Sequence, residues 1–307
     1  MSLLTVFTAP KPFTSDHIAC IQRNAIRSWL SLGAAVEVIL IGEEDGLAET
    51  AAELGVKHLP QVRRNFHGTP LVSSIFDLAR QHSHSPLLAY VNADILLLPD
   101  VVTAAQQVAD QAERFLIVGQ RWDLDVRQPL DFPAGWEAQL RARTLSEGRL
   151  HPRGGSDYFI YPRACFQHIP DFAIGRAGWD NWMIYEARQR GWAVVDATPS
   201  VMIVHQEHDY SHLPQGQPHY RLPETGENVR LAGGQRTIFT LIDSDRQLVA
   251  GQVTRQSSGW QKFWRETEIW PLVRLHSGLL ANLSYAAFHP RKAYWELRAW
   301  LSGRLKG

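Results

Sequence analysis

Three polar clusters stand at the ends of apolar segments, where side chains that do chemistry are best placed. Asn92-Ala93-Asp94 follows the apolar run 87–91, and in an extended segment its first and third side chains point to the same side. Oxygen donors of this kind suit magnesium or manganese, which bridge carboxylates to substrate phosphates. The bland reading of the same tripeptide is a turn or a helix cap. Trp179-Asp180-Asn181-Trp182 opens a helical pattern. Asp180 there is either an N-cap or a carboxylate at a pocket rim that orients an acceptor hydroxyl or takes its proton. His205-Gln206-Glu207-His208-Asp209-Tyr210-Ser211-His212 follows the apolar residues 201–204. As a helix it would align His205, His208, Asp209 and His212, but its place after a strand predicts a loop. Hydrogen-bonded histidines are the competing reading.

Absent motifs narrow the field. The chain has no His-Glu-x-x-His, no Gly-x-Gly-x-x-Gly after its first strand, no Walker-type Gly-Lys-Ser/Thr loop and no Gly-x-Ser-x-Gly elbow. Zincins, dinucleotide dehydrogenases, P-loop NTPases and α/β-hydrolases are therefore set aside.

The elements that must hold these clusters alternate between strand and helix. Residues 3–7 read as a buried strand ended by Pro10 and Pro12. Ser15 is placed to cap a helix whose Ile18, Ile21, Ala25 and Trp29 share one face up to Gly33. Strands are expected at 36–41, 56–59, 87–91 and 115–118, with helices from Leu47, from Thr69-Pro70 and from Pro99-Asp100. Beyond Gln120 the pattern loosens through Trp122, Trp136 and His151. It tightens again at Tyr158-Phe159-Ile160-Tyr161, then gives a helix over about 180–190 and one or two strands within 193–204. Repeated strand and helix units predict an α/β fold with a mainly parallel sheet covered on both faces.

With 307 residues, 45% of them apolar and 20% charged, the chain has enough material for one large or two smaller folded domains and is too apolar for disorder. The 31 basic residues balance the 31 acidic ones, which leaves no overall field for nucleic acid. The two cysteines, Cys20 and Cys165, can build neither a disulfide framework nor a Cys-based zinc site. A cytoplasmic protein is the expectation, since no apolar run is long enough for a bilayer and the start is too short for a signal-peptide core.

In order and spacing these segments resemble the GT-A glycosyltransferases, the nucleotide-diphospho-sugar transferase superfamily, over about residues 3–235. Asn92-Ala93-Asp94 is similar to the Asp-x-Asp motif at the end of the fourth strand. Gly178-Trp179-Asp180-Asn181-Trp182, running on to Gly191-Trp192-Ala193-Val194-Val195, is similar to the acidic motif, helix and Gly-Trp strand that follow it. Together with Gln22-Arg23-Asn24-Ala25-Ile26 and His205-Gln206-Glu207-His208-Asp209-Tyr210, the pattern looks like a little-characterised glycosyltransferase-like branch.

The resemblance implies a Rossmann-like, mostly parallel central sheet flanked by helices, and the transfer of a sugar from a nucleotide-diphospho-sugar to a glycan or lipid-linked acceptor, in surface-glycan synthesis. It implies a Mn2+ or Mg2+ ion held by Asp94, His205 and Asn92, a nucleoside pocket lined by Thr8, Ala9 and Glu43, and a donor contact from Asp157. If the reaction inverts the anomeric centre, Asp180 is the candidate base. A sugar-nucleotide nucleotidyltransferase is one alternative, weakened by the lack of a glycine-rich first loop. A catalytically silent nucleotide- or sugar-binding module is the other, since Asn92 stands where the motif has its first Asp.

The chain changes character near residue 258. Residues 258–307 hold eight Lys/Arg against three Asp/Glu, a net +5, and five of the eleven tryptophans. The expected organisation is a catalytic domain over 1–257 and a basic, Trp-rich helical extension over 258–307. Tyr294, Leu297, Leu301 and Leu305 recur on one helical face after Pro290, a pattern that lies on an anionic inner membrane face or packs on the catalytic domain.

Overall fold

A computed structural model describes residues 2–208, 222–256 and 259–304. The first expected strand is β1 (Leu4–Thr8), followed by α1 (Asp16–Leu30), β2 (Val36–Ile41), α2 (Leu47–Leu54) and β3 (Lys57–Leu59). Then come α3 (Val72–His82), β4 (Leu87–Val91), β5 (Ile95–Leu97), α4 (Asp100–Ala109), β6 (Phe115–Val118) and β7 (Trp122–Leu124). The middle of the chain supplies α5 (Trp136–Glu147), β8 (Arg149–Leu150), β9 (Tyr158–Pro162), α6 (Trp179–Gln189), β10 (Ala193–Asp196) and β11 (Ile203–Gln206). The last elements are α7 (Pro223–Leu231), β12 (Arg246–Val249), β13 (Gln252–Arg255), α8 (Trp260–Leu275), α9 (Gly278–Phe288) and α10 (Pro290–Arg304).

A nine-stranded sheet runs in the order β13-β12-β10-β6-β9-β4-β1-β2-β3. Its pairings are parallel except those of β9 with β4 and β6 and of β13 with β12. Alternate strand residues feed two cores. Val6, Leu40 and Ala89 pack on one side with Ala25, Ile26 and Val101, while Phe7, Ile39 and Tyr90 pack on the other with Phe76, Met183 and Leu272. Apolar residues on both faces of a strand are what a parallel sheet between helices requires.

Two sequence expectations shift. The helix anticipated from Thr69-Pro70 starts at Val72, because Pro70 and Leu71 are used first in extended bridges to Arg64 and Ala173. The loosened region after Gln120 folds into a second sheet, ordered β5-β11-β7-β8. Leu96, Leu124, Trp136, Leu140 and Val204 form a separate small core beneath it. The chain crosses from the large sheet to the small one at the turn 92–94, between β4 and β5.

The extension from α8 onward is helical, as expected. The boundary near 258 lies outside the described residues, as do Asp209, Tyr210, Ser211, His212 and Leu305. Helix α8 turns Ile269, Leu272 and Val273 into the core shared with α6. Arg188 of α6 binds Glu266 at 2.8 Å, and Arg265 binds Asp243 at 2.7 Å.

Candidate functional site

The strand registers explain how residues more than a hundred positions apart converge. In the small sheet β11 lies between β5 and β7, with His205 opposite Ile95 on one side and Asp123 on the other. Asp94, one residue before Ile95, therefore arrives beside His205. Gln206 ties this corner down: its N–H donates to the Asp94 carbonyl at 3.1 Å, its amide donates to the Ile21 carbonyl at 2.7 Å, and Asn24 donates to its Oε1 at 3.0 Å. Helix α1 thus braces the site from behind.

Asp94, His205 and His208 offer ligand atoms that all lie within 4.8 Å of one another. His208 Nε2 is 3.0 Å from Asp94 Oδ2, and His205 Nε2 is 4.0 Å from the same oxygen. Lys11 Nζ stands 3.8 Å from that oxygen and 3.2 Å from His208 Nε2. Its backbone is held by Gln22, which accepts from the Lys11 N–H at 2.7 Å and donates to the Lys11 carbonyl at 2.9 Å.

Behind the ligands, His205 Nδ1 contacts Asp123 Oδ1 at 3.1 Å and His151 Nδ1 contacts Asp123 Oδ2 at 2.8 Å. A carboxylate only accepts, so His205 carries a proton on Nδ1, and loss of the other proton frees Nε2 for a ligand. Arg121 then links Asp123 at 2.9 Å to Asp157 at 2.7 Å. Asn92 donates its side-chain amide to Asp157 Oδ1 and its N–H to the Asp157 carbonyl, both at 2.9 Å.

These neighbours drive two carboxyls in opposite directions. Burial pushes Asp94 up, but the hydrogen bond from His208 and the charges of His205 and Lys11 outweigh it and hold the carboxyl well below the usual range. Burial raises Asp180 from 3.8 to about 6, opposed by backbone N–H groups of Asn181 and Gly178 and reinforced by the charge of Asp157. Asp180 is not the helix cap: Gly178 occupies that position, and its N–H donates to Asp180 Oδ1 at 3.2 Å. The neighbouring Trp179 meets Tyr90 edge to face, with ring centroids 5.1 Å apart, which fixes the first turn of α6 against β4.

The residues bear a divalent cation well. Asp94 Oδ1 is buried and has no hydrogen-bond partner among the described residues, and buried polar atoms are rarely left so. One carboxylate and two imidazoles, one with its tautomer set by Asp123, form a mixed oxygen and nitrogen set. Such a set suits a first-row transition ion better than magnesium, whose preference is for oxygen.

Of the residues singled out in the sequence, Asp94 and His205 meet directly, and Asp157 and Asn92 join them through Arg121 and Asp123. Thr8 is buried at the end of β1, and Ala9 is partly buried after it. Glu43 is exposed and pairs with Arg64 at 3.2 Å, whereas Glu44 beside it is the more enclosed carboxylate. Lys11, Arg121, Asp123 and His151 were not anticipated. Asp123 and His151 lie where no period showed, since β7 and β8 are three and two residues long.

No protein-family profile matches the chain, and no curated protein matches it. Among solved structures it is similar to the mannosyltransferase PcManGT from Pyrobaculum calidifontis in complex with GDP-Man and Mn2+, at 12% identity and a TM-score of 0.41, over 68% of this chain and 58% of that one. It is also similar to S. aureus TarS 1-349, at 11% identity and a TM-score of 0.39, over 68% of this chain and 59% of that one. The chain thus spans less than two thirds of either structure.

Proposed function

We propose that this protein is a glycosyltransferase that moves a sugar from a nucleotide-diphospho-sugar to a hydroxyl of a glycan or lipid-linked acceptor, using a divalent cation. The observation that carries this reading is the Asp94–His205–His208 cluster with its unpartnered carboxylate oxygen, at the carboxyl end of β4, in the same network as Asp157. Ligands of open α/β sheets bind beyond the carboxyl ends of the strands, and the motif order from Asn92 to His205 resembles that of GT-A enzymes.

Asp94, His205 and His208 would hold the cation, with manganese favoured over magnesium by the two imidazoles. When bound, it offsets the negative charge that builds on the departing diphosphate. Thr8 and Ala9, at the end of β1, line the space for the nucleoside together with Glu43. Asp157, held in place by Asn92 and Arg121, reaches the donor sugar. In an inverting transfer the acceptor oxygen bonds to the anomeric carbon as the bond to the diphosphate oxygen breaks, and Asp180 takes the acceptor proton. A carboxyl poised at about 6 is ionised at neutral pH yet basic enough for that task.

The test is a panel of nucleotide sugars incubated with manganese, magnesium or EDTA, following nucleoside diphosphate by chromatography and donor binding by thermal shift. Metal-dependent release of nucleoside diphosphate from one donor is expected. Pyrophosphate release would instead identify a nucleotidyltransferase, and no binding to any donor would overturn the reading.

A further inference from the structure

Helix α8 is apolar on two opposite sides. Ile269, Leu272 and Val273 are buried against α6, while Trp260, Phe263 and Trp270 face away, with Trp260 72% and Trp270 53% exposed. At 100° per residue, positions 260, 263, 264, 267, 270, 271 and 274 fall on one side of the helix, so these rings form a continuous outward stripe. Trp264 stacks its edge on Trp260 at 5.0 Å and on Phe288 of α9 at 5.7 Å. Leu279 and Leu283 extend the apolar surface along α9, and Trp295 of α10 is 60% exposed. Soluble proteins seldom leave so many large apolar side chains in water without a partner.

The charges of the same three helices are sorted by direction. Each of their acidic residues is tied inward or to the rest of the fold: Glu266 to Arg188 and Lys262, Glu268 to Arg265 and His289, and Glu296 to Arg236. Glu296 is exposed but paired with Arg236, and the other exposed charges of these helices among the described residues are basic, namely Arg274, Arg291, Lys292 and Arg298. The Arg298 guanidinium lies 5.2 Å from the Trp295 ring centroid, so charge and aromatic ring share one surface.

From this sorting we infer that α8, α9 and α10 form a docking surface for an anionic phospholipid bilayer, lying in its interface without crossing it. Indole rings suit the headgroup level, where one part is apolar and the N–H stays wet. Basic side chains beside them add attraction to acidic headgroups. No helix among the described residues is long and apolar enough to span a membrane, which leaves the interfacial mode. A second copy of the chain is the poorer occupant, because self-pairing would set the same basic residues against one another. The inference stands apart from the proposed function, since it uses no residue of the β4 site.

The experiment is flotation of the full chain with vesicles of phosphatidylcholine alone or mixed with phosphatidylserine, at low and high salt. Binding only to the serine-containing vesicles, weakened by salt, is expected. A triple Arg291→Gln, Lys292→Gln, Arg298→Gln variant should bind on the order of a hundredfold more weakly, at about fivefold per charge near the surface. Trp260→Ser with Trp270→Ser should also abolish flotation, with the helical circular-dichroism signal retained because neither ring belongs to the buried core. Equal recovery with and without vesicles overturns the inference, and so does flotation of these variants at the wild-type level. Sedimentation showing a dimer that the Trp variants dissolve assigns the surface to a second copy instead.

Discussion

Asp94 gives up its proton readily while Asp180 keeps one up to about pH 6, and two carboxyls pushed apart in this way are equipped for different work. Asp180→Asn should lower kcat by a factor of about a hundred to ten thousand and leave donor affinity as it was. The wild-type rate should rise with pH through about 6, as read from initial rates. Stability carries the opposite sign. A carboxyl raised from 3.8 to about 6 holds its proton more tightly in the folded chain, so the stability it adds is full below pH 3.8 and is lost as pH rises to about 6. Melts above pH 6 should therefore find Asp180→Asn at least as stable as wild type, by up to about 3 kcal/mol. A variant that melts much earlier would mark the bond to Gly178 as the residue's main role. Asp94→Ala should remove manganese binding in calorimetry. Asp123→Asn, which loosens the His205 ring without touching the ion, should weaken it about 10- to 100-fold. The meeting of Asp94 and His205 joins two residues singled out in the sequence because each borders an apolar strand. Lys11 and Asp123 were not, because Lys11 meets Asp94 83 positions away and Asp123 meets His205 82 positions away, pairs brought near only by the fold.

Among elements, the first turn of α6 depends on Gly178, whose φ of 109° is costly for a residue with a Cβ, on the order of 1–2 kcal/mol. Space is not the obstacle, since an added Cβ would meet Asn228 and Val229 at an ordinary 3.5 Å. Gly178→Ala should lower stability by about that amount in denaturant titrations, and reduce transfer further as Asp180 is displaced. The strands of the large sheet could be read from sequence because both faces are buried, so Leu87–Val91 and Phe115–Val118 appear as unbroken apolar runs. The small sheet left no such mark. Its strands are two to four residues long, Asp123 and His205 spend their positions on polar contacts, and both residues of β8 are exposed. The second core takes only Trp136 and Leu140 from α5, whose other residues are mostly polar, so its helical period is weak.

For the molecule as a whole, the change of composition near residue 258 does not mark an end of the core, because α8 packs Leu272 beside Met183 and Phe76 in one apolar cluster. Leu272→Ala should cost about 2–5 kcal/mol, and tryptophan fluorescence and circular dichroism should lose signal in a single shared transition. Smaller, separate loss of the fluorescence signal would show that the last helices melt independently. The even balance of charge in the sequence concealed how it is distributed, with each acidic residue of the last helices held by a basic partner and Arg274, Arg291, Lys292 and Arg298 left exposed. The crossing at residues 92–94 has a further consequence for how the fold breathes. Asp94 leads into β5 and its carbonyl accepts from the Gln206 N–H of β11, so the cluster joins two strands of the small sheet, which can open apart from the large one. A cation shared between them would act as a rivet: on adding manganese, amide exchange should slow along β5, β7 and β11 and stay unchanged in β1 and β2.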